Sequence, residues 1–69
     1  MKPTKYYIIL GSRDSMTRPS EECDTQAEAA ARVDVLRKQG LPAFHITGQG
    51  YKELTGHSAH ADYLKELNS

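Results

Sequence analysis

The sequence predicts one small α+β domain, with helices packed on one face of a sheet of three or four strands. Three segments predict it: an apolar run at residues 6–10, a capped helix at 26–39 and an alternating run at 43–47. A chain of 69 residues is one domain, here residues 1–69. The expected order is β-(β)-α-β-(β)-α, in which the strands in parentheses are the less defined ones.

The first strand is predicted at residues 5–10. Residues 6–9 of this strand are aromatic or β-branched, and Gly11 and Ser12 follow it. Both faces of this strand are apolar: Tyr6, Ile8 and Leu10 alternate with Tyr7 and Ile9. A strand with two apolar faces is typical of the centre of a sheet.

A helix is predicted from about residue 26 to residue 39. Thr25 and Glu28 have the spacing of a capping box, in which each side chain bonds a free backbone N–H. Gly40 stands where a left-handed residue ends a helix, and Pro42 prevents its continuation. The predicted buried stripe consists of Ala29, Val33 and Leu36.

The second half predicts a strand at 43–47, with Phe44 and Ile46 inward, and a helix at 59–67 with Ser58 as its N-cap. Between them, residues 48–50 predict a turn, and residues 51–54 either continue the strand or return as a hairpin. The apolar face of the last helix is expected to hold His60, Tyr63, Leu64 and Leu67.

Residues 11–24 allow two interpretations. One is a hairpin in which residues 20–24 return as a short, charged edge strand, since Pro19 and the acids that follow would block further pairing. The other is a mobile loop, a kind of segment that often carries function.

Composition narrows the classes of function. The formal net charge is zero, whereas a general nucleic-acid binder usually has a strong positive excess. The N-terminal residues are polar and no apolar run is long enough for a membrane span, so we expect a cytoplasmic protein. The core is thin for an independent domain, and a homodimer or a bound partner would compensate for it.

No catalytic, cofactor or metal site is expected. The metal candidates are His57 and His60, with Asp62, Cys23 and His45 elsewhere, but no second closely spaced ligand pair accompanies the two histidines. The acidic neighbours of Cys23 disfavour its thiolate, which argues against a nucleophile. Residues 48–50 lack the third glycine of a dinucleotide-binding loop.

The residues Tyr6-Tyr7-Ile8-Ile9-Leu10-Gly11-Ser12, the helix at 29–36 and Gly40-Leu41-Pro42-Ala43-Phe44 resemble half of a SPOR domain. That resemblance implies a βαββαβ unit that binds denuded peptidoglycan glycan strands. The long segment 13–24 and the lack of a final strand depart from the SPOR pattern. In size and style, the chain is also similar to small accessory proteins of phages and prophages.

These observations together predict a non-enzymatic module that binds a host protein, as an inhibitor or adaptor encoded by a phage or mobile element. The segment 11–24 carries charges of both signs and Met16 without the periodicity of a core. The predicted contact residues are Arg13, Asp14, Met16, Arg18, Glu21 and Glu22. A nucleic-acid-binding domain that uses basic residues near Tyr6 and Tyr7 is the first alternative. A SPOR-like glycan-binding domain is the second.

Overall fold

A computed structural model describes residues 5–12 and 17–68 of the chain. Within these residues the fold has three helices and a three-stranded antiparallel sheet, which confirms the α+β class. The elements are β1 (Tyr6–Leu10), β2 (Glu21–Cys23), α1 (Gln26–Lys38), β3 (Ala43–Thr47), α2 (Gly48–Thr55) and α3 (Ala59–Leu67).

The sheet has the order β2-β1-β3, and both neighbours run antiparallel to β1. The prediction that the first strand is central is therefore confirmed. The edge-strand interpretation of residues 20–24 is also confirmed, because β2 pairs Cys23 with Tyr6 and Glu21 with Ile8.

Helix α1 forms where its caps predict it. The Thr25 hydroxyl accepts a hydrogen bond from the backbone N–H of Glu28 at 3.1 Å. Gly40 follows the helix with φ of 84°, a left-handed conformation that glycine adopts without steric cost. The buried residues of α1 are Ala29, Val33 and Leu36, as predicted.

The expectation that the helices share one face of the sheet is wrong. On one face, Ile8 and Ala43 pack against α1 together with Cys23. On the other face, Tyr7 and Ile9 pack with residues of α2 and α3. The two apolar faces of β1 are the physical reason, since each needs its own cover.

The strand or hairpin predicted at residues 51–54 is also wrong, because these residues belong to α2. The Thr47 hydroxyl accepts from the backbone N–H of Gly50 at 3.0 Å and caps this helix. A side chain at position 50 would place its Cβ 3.1 Å from Ile46, so glycine there lets the first turn lie close against β3. Tyr51 is buried as a result.

Helix α3 has the predicted bounds and N-cap, and the Ser58 hydroxyl accepts from the N–H of Ala61. Its buried residues are instead Ala59 and Asp62, while Leu64 and Leu67 are exposed. The order ββαβαα differs from the βαββαβ order that the SPOR resemblance implies.

Candidate functional site: the charged edge of the sheet

The predicted contact residues divide into two groups. Arg13, Asp14 and Met16 lie outside the described residues. Arg18 is exposed just before β2, and Glu21 and Glu22 are half-buried on that strand.

Hydrogen bonds made by the neighbouring residues Thr17 and Ser20 fix the backbone at Arg18. The Thr17 hydroxyl donates to the carbonyl of Leu10 at 2.8 Å, and the N–H of Ser20 donates to the carbonyl of Ile8 at 2.8 Å. Pro19 between them is fully buried. The backbone that carries Arg18 is thus fixed against β1, while the side chain faces solvent.

Glu21 is held by a two-point ion pair with α1. Arg32 donates from Nε to Oε1 at 2.9 Å and from Nη2 to Oε2 at 3.1 Å. This planar match is the strongest geometry that an arginine and a carboxylate form. The bond to Glu21 raises the pKa of Arg32 above its ordinary value.

Glu22 joins three elements of the fold. Its Oε2 atom accepts from the Tyr7 hydroxyl at 2.8 Å and lies 2.8 Å from Nδ1 of His60 on α3. The bond to His60, followed by that to Tyr7, lowers the pKa of the Glu22 carboxyl. Because an ionised carboxylate only accepts, the proton between them belongs to Nδ1 of His60.

A buried tyrosine–aspartate pair lies behind these groups. The Tyr51 hydroxyl donates to Oδ2 of Asp62 at 2.6 Å. Burial, and then this bond, raises the pKa of Tyr51 to about 12, and the positive charge of Arg18 acts in the opposite direction.

Sequence reasoning missed how these residues come together. Glu22 and His60 are separated by 38 positions, and no local spacing relates them. A second candidate contact surface comprises Tyr51, Lys52, His57 and Tyr63. Lys52 and His57 are exposed there, whereas Tyr63 is half-buried and Tyr51 is buried.

The metal candidates are dispersed. Among residues 5–12 and 17–68, no three His, Cys, Asp or Glu side chains are placed to hold a metal ion. Cys23 is buried, and burial, followed by the charge of Glu21, raises the pKa of its thiol. A raised pKa leaves little reactive thiolate, which agrees with the argument from its acidic neighbours.

A cleft of about 370 Å³ lies elsewhere, between α1 and β3. Its lining residues are Ala30, Val33, Asp34, Arg37, Phe44 and His45. Arg37 also donates from Nε to the carbonyl of Ala43 at 3.0 Å.

Comparison with protein-family models, curated proteins and solved structures finds no match for this chain. In the part of the chain that the structure describes, no helix has the length and apolar character to cross a membrane.

Proposed function

We propose that this chain is a non-enzymatic protein-binding module that acts on another protein as an inhibitor or adaptor. The contact surface we propose is the β2 edge, defined as Arg18, Glu21, Glu22 and His60. One observation carries the proposal: this surface presents charges of both signs, and internal hydrogen bonds already fix the groups that bear them. The acidic side chains are bonded directly, and the basic Arg18 extends from a fixed backbone.

Fixed charges favour binding because binding then orders little that was free. Immobilising a long side chain at an interface costs about 0.5–1.5 kcal/mol, and an ordered one avoids most of that cost. Glu21 is ordered by Arg32, and Glu22 by Tyr7 and His60. Arg18 adds an exposed cation on a fixed backbone.

The mixture of signs favours a protein partner over a nucleic acid. The acids of this edge have basic partners, Arg32 for Glu21 and Lys5 for Asp24, so the edge lacks the positive excess that supplies most nucleic-acid affinity. Tyr7 is buried and bonded to Glu22, so its ring is not free to stack on a base. That a phage or mobile element encodes the chain is a finer proposal, which rests on its size and style.

The test is a pull-down from bacterial lysate with the tagged chain, with and without nuclease, read by mass spectrometry. One stoichiometric protein that survives nuclease would support the proposal. Recovery only of proteins that nuclease removes would favour nucleic-acid binding instead. Recovery of nothing, with co-sedimentation on purified sacculi, would favour the glycan-binding alternative.

A further inference from the structure

Some backbone N–H and C=O groups of β3 face away from β1, on the outer edge of the sheet. The hydrogen bonds at the two ends of the β1–β3 ladder show which residues carry them. The N–H of Gly11 donates to the carbonyl of Pro42, and the N–H of Gly48 donates to the carbonyl of Lys5. Hydrogen-bonded pairs recur at every second residue of an antiparallel ladder. With the register that pairs Ile9 with Phe44 and Tyr7 with Ile46, Phe44 and Ile46 are the β3 residues bonded to β1.

The alternate β3 residues therefore direct their N–H and C=O groups away from β1. These residues are Ala43, His45 and Thr47. Within the described residues, β3 has β1 as its only neighbour in the sheet. Arg37 reaches the Ala43 carbonyl, and Thr47 serves as the N-cap of α2. His45, at the centre of the three, is the residue whose backbone most clearly faces an open edge.

The two edges of the sheet differ in how well they resist pairing with another chain. β2 has three residues, two of them acidic, and Pro19 precedes it. Short length, charge and proline are the features that protect edge strands. β3 has five residues with no lysine or acidic side chain. Pro42 comes directly before β3, so length and charge, and not proline, distinguish the two edges. An unprotected edge of this kind is a template for another strand.

The cleft beside this edge offers matching charges to a second copy. Asp34 and Arg37 lie nearly one helical turn apart on the α1 wall of the cleft. Within one copy, Asp34 forms an exposed ion pair with Lys38, and Arg37 donates to the carbonyl of Ala43. If a two-fold axis passes beside this wall, the α1 helices of the two copies lie antiparallel. Asp34 of each copy then faces toward Arg37 of the other. A surface that carries both signs in this way complements itself.

We infer that β3 pairs with β3 of a second copy, antiparallel about a two-fold axis at His45. This register centres the pairing on His45, which lies opposite His45 of the other copy, and it places each Ala43 opposite Thr47 of the other copy. It joins the two sheets edge to edge and covers both clefts with the paired α1 helices. The thin core of so short a chain gains buried area by this pairing.

This inference is independent of the proposed function. The β2 edge lies at the opposite side of the sheet from β3, so pairing through β3 leaves a β2 edge free at each end of the joined sheet. A dimer would therefore present two copies of the proposed contact surface.

The first test measures mass by sedimentation equilibrium over a range of concentrations. We expect wild-type dimers, and we expect H45K to raise the dimer dissociation constant at least about tenfold, or about 1.4 kcal/mol, because it places like charges opposite each other. H57K changes an exposed histidine between α2 and α3 and should leave the constant unchanged. H45P removes an outward N–H, together with the imidazole that lies edge-on to the ring of Tyr6. It should also dissociate the dimer while circular dichroism stays native.

The second test locates the axis. Paired residues of this type have Cα atoms about 5.5 Å apart, within the range that a disulfide spans. H45C should therefore cross-link two chains rapidly under mild oxidation, and H57C should not. A wild-type chain that is monomeric at every concentration overturns the inference. A dimer that H45K and H45P leave intact, or equal cross-linking at both positions, overturns it as well.

Discussion

Tyr51 and Asp62 form a short hydrogen bond inside the molecule, where the carboxylate is 9% exposed. Replacing Tyr51 by Phe keeps the ring and leaves Asp62 without this donor. A buried charged group that loses its partner costs about 1.5–3 kcal/mol. We expect Y51F to lower the free energy of unfolding in urea by that amount.

The control for Y51F is the double variant Y51F/D62N, in which neither the donor nor the charge remains. Its loss of unfolding free energy should be smaller than the sum of the losses in Y51F and D62N, since both single variants remove the same bond. An effect of Y51F below about 0.5 kcal/mol, in the range of ordinary surface changes, would contradict this account of the pair.

Glu22 gives the stability of the protein a dependence on acid pH. Its folded-state pKa is lowered by His60 and Tyr7, so its contribution is complete above the unfolded pKa of about 4.3. That contribution is lost as the pH falls through the lower folded value. We expect the urea midpoint of the wild type to fall more steeply below about pH 4.3 than that of E22Q. E53Q, at an exposed position of α2, should show the same pH dependence of the urea midpoint as the wild type. If the midpoints of the wild type and E22Q change with pH in parallel, Glu22 does not have this role.

At the scale of the element, the cap of α1 tests how far local sequence determines the helix. T25A removes the hydroxyl that accepts from Glu28 and should cost about 1 kcal/mol of unfolding free energy. T25S retains a hydroxyl, and its free energy of unfolding should remain close to that of the wild type. If both variants unfold at the wild-type urea midpoint, tertiary packing alone maintains this end of α1.

The elements that sequence predicted correctly are those with local signals. α1 has a cap, a buried stripe and a terminal glycine, and α3 has Ser58 as its cap. α2 was missed because residues 48–50 have poor helix propensity. Their place in a helix depends on tertiary contact, in which Gly48 lies near the Tyr7 ring and Gly50 near Ile46.

The same distinction applies to the candidate site. Sequence indicated the charged segment before α1, and the structure places Arg18, Glu21 and Glu22 along one edge. The bonds of Glu22 to Tyr7 and His60 depend on α3 returning to β2, and no pattern in a single sequence specifies that return. The position of helices on both faces was predictable in principle, since both faces of β1 are apolar.

At the scale of the whole molecule, the sheet separates two surfaces with different character. The β2 edge is acidic and held by internal bonds, whereas the β3 strand has no Lys, Arg, Asp or Glu and pairs with β1 alone within the described residues. We propose that the β2 edge contacts a partner protein while the opposite edge pairs with a second copy.

The most direct test of the protein-binding proposal is the affinity of the captured partner for three purified chains, measured by isothermal titration calorimetry. R18E reverses the exposed charge at the β2 edge, and K52E makes the same change at an exposed position on α2. We predict that R18E weakens binding by a few kcal/mol, as expected for a central charge, while K52E binds like the wild type. Wild-type affinity of R18E, or a greater loss with K52E, would contradict the proposed contact surface.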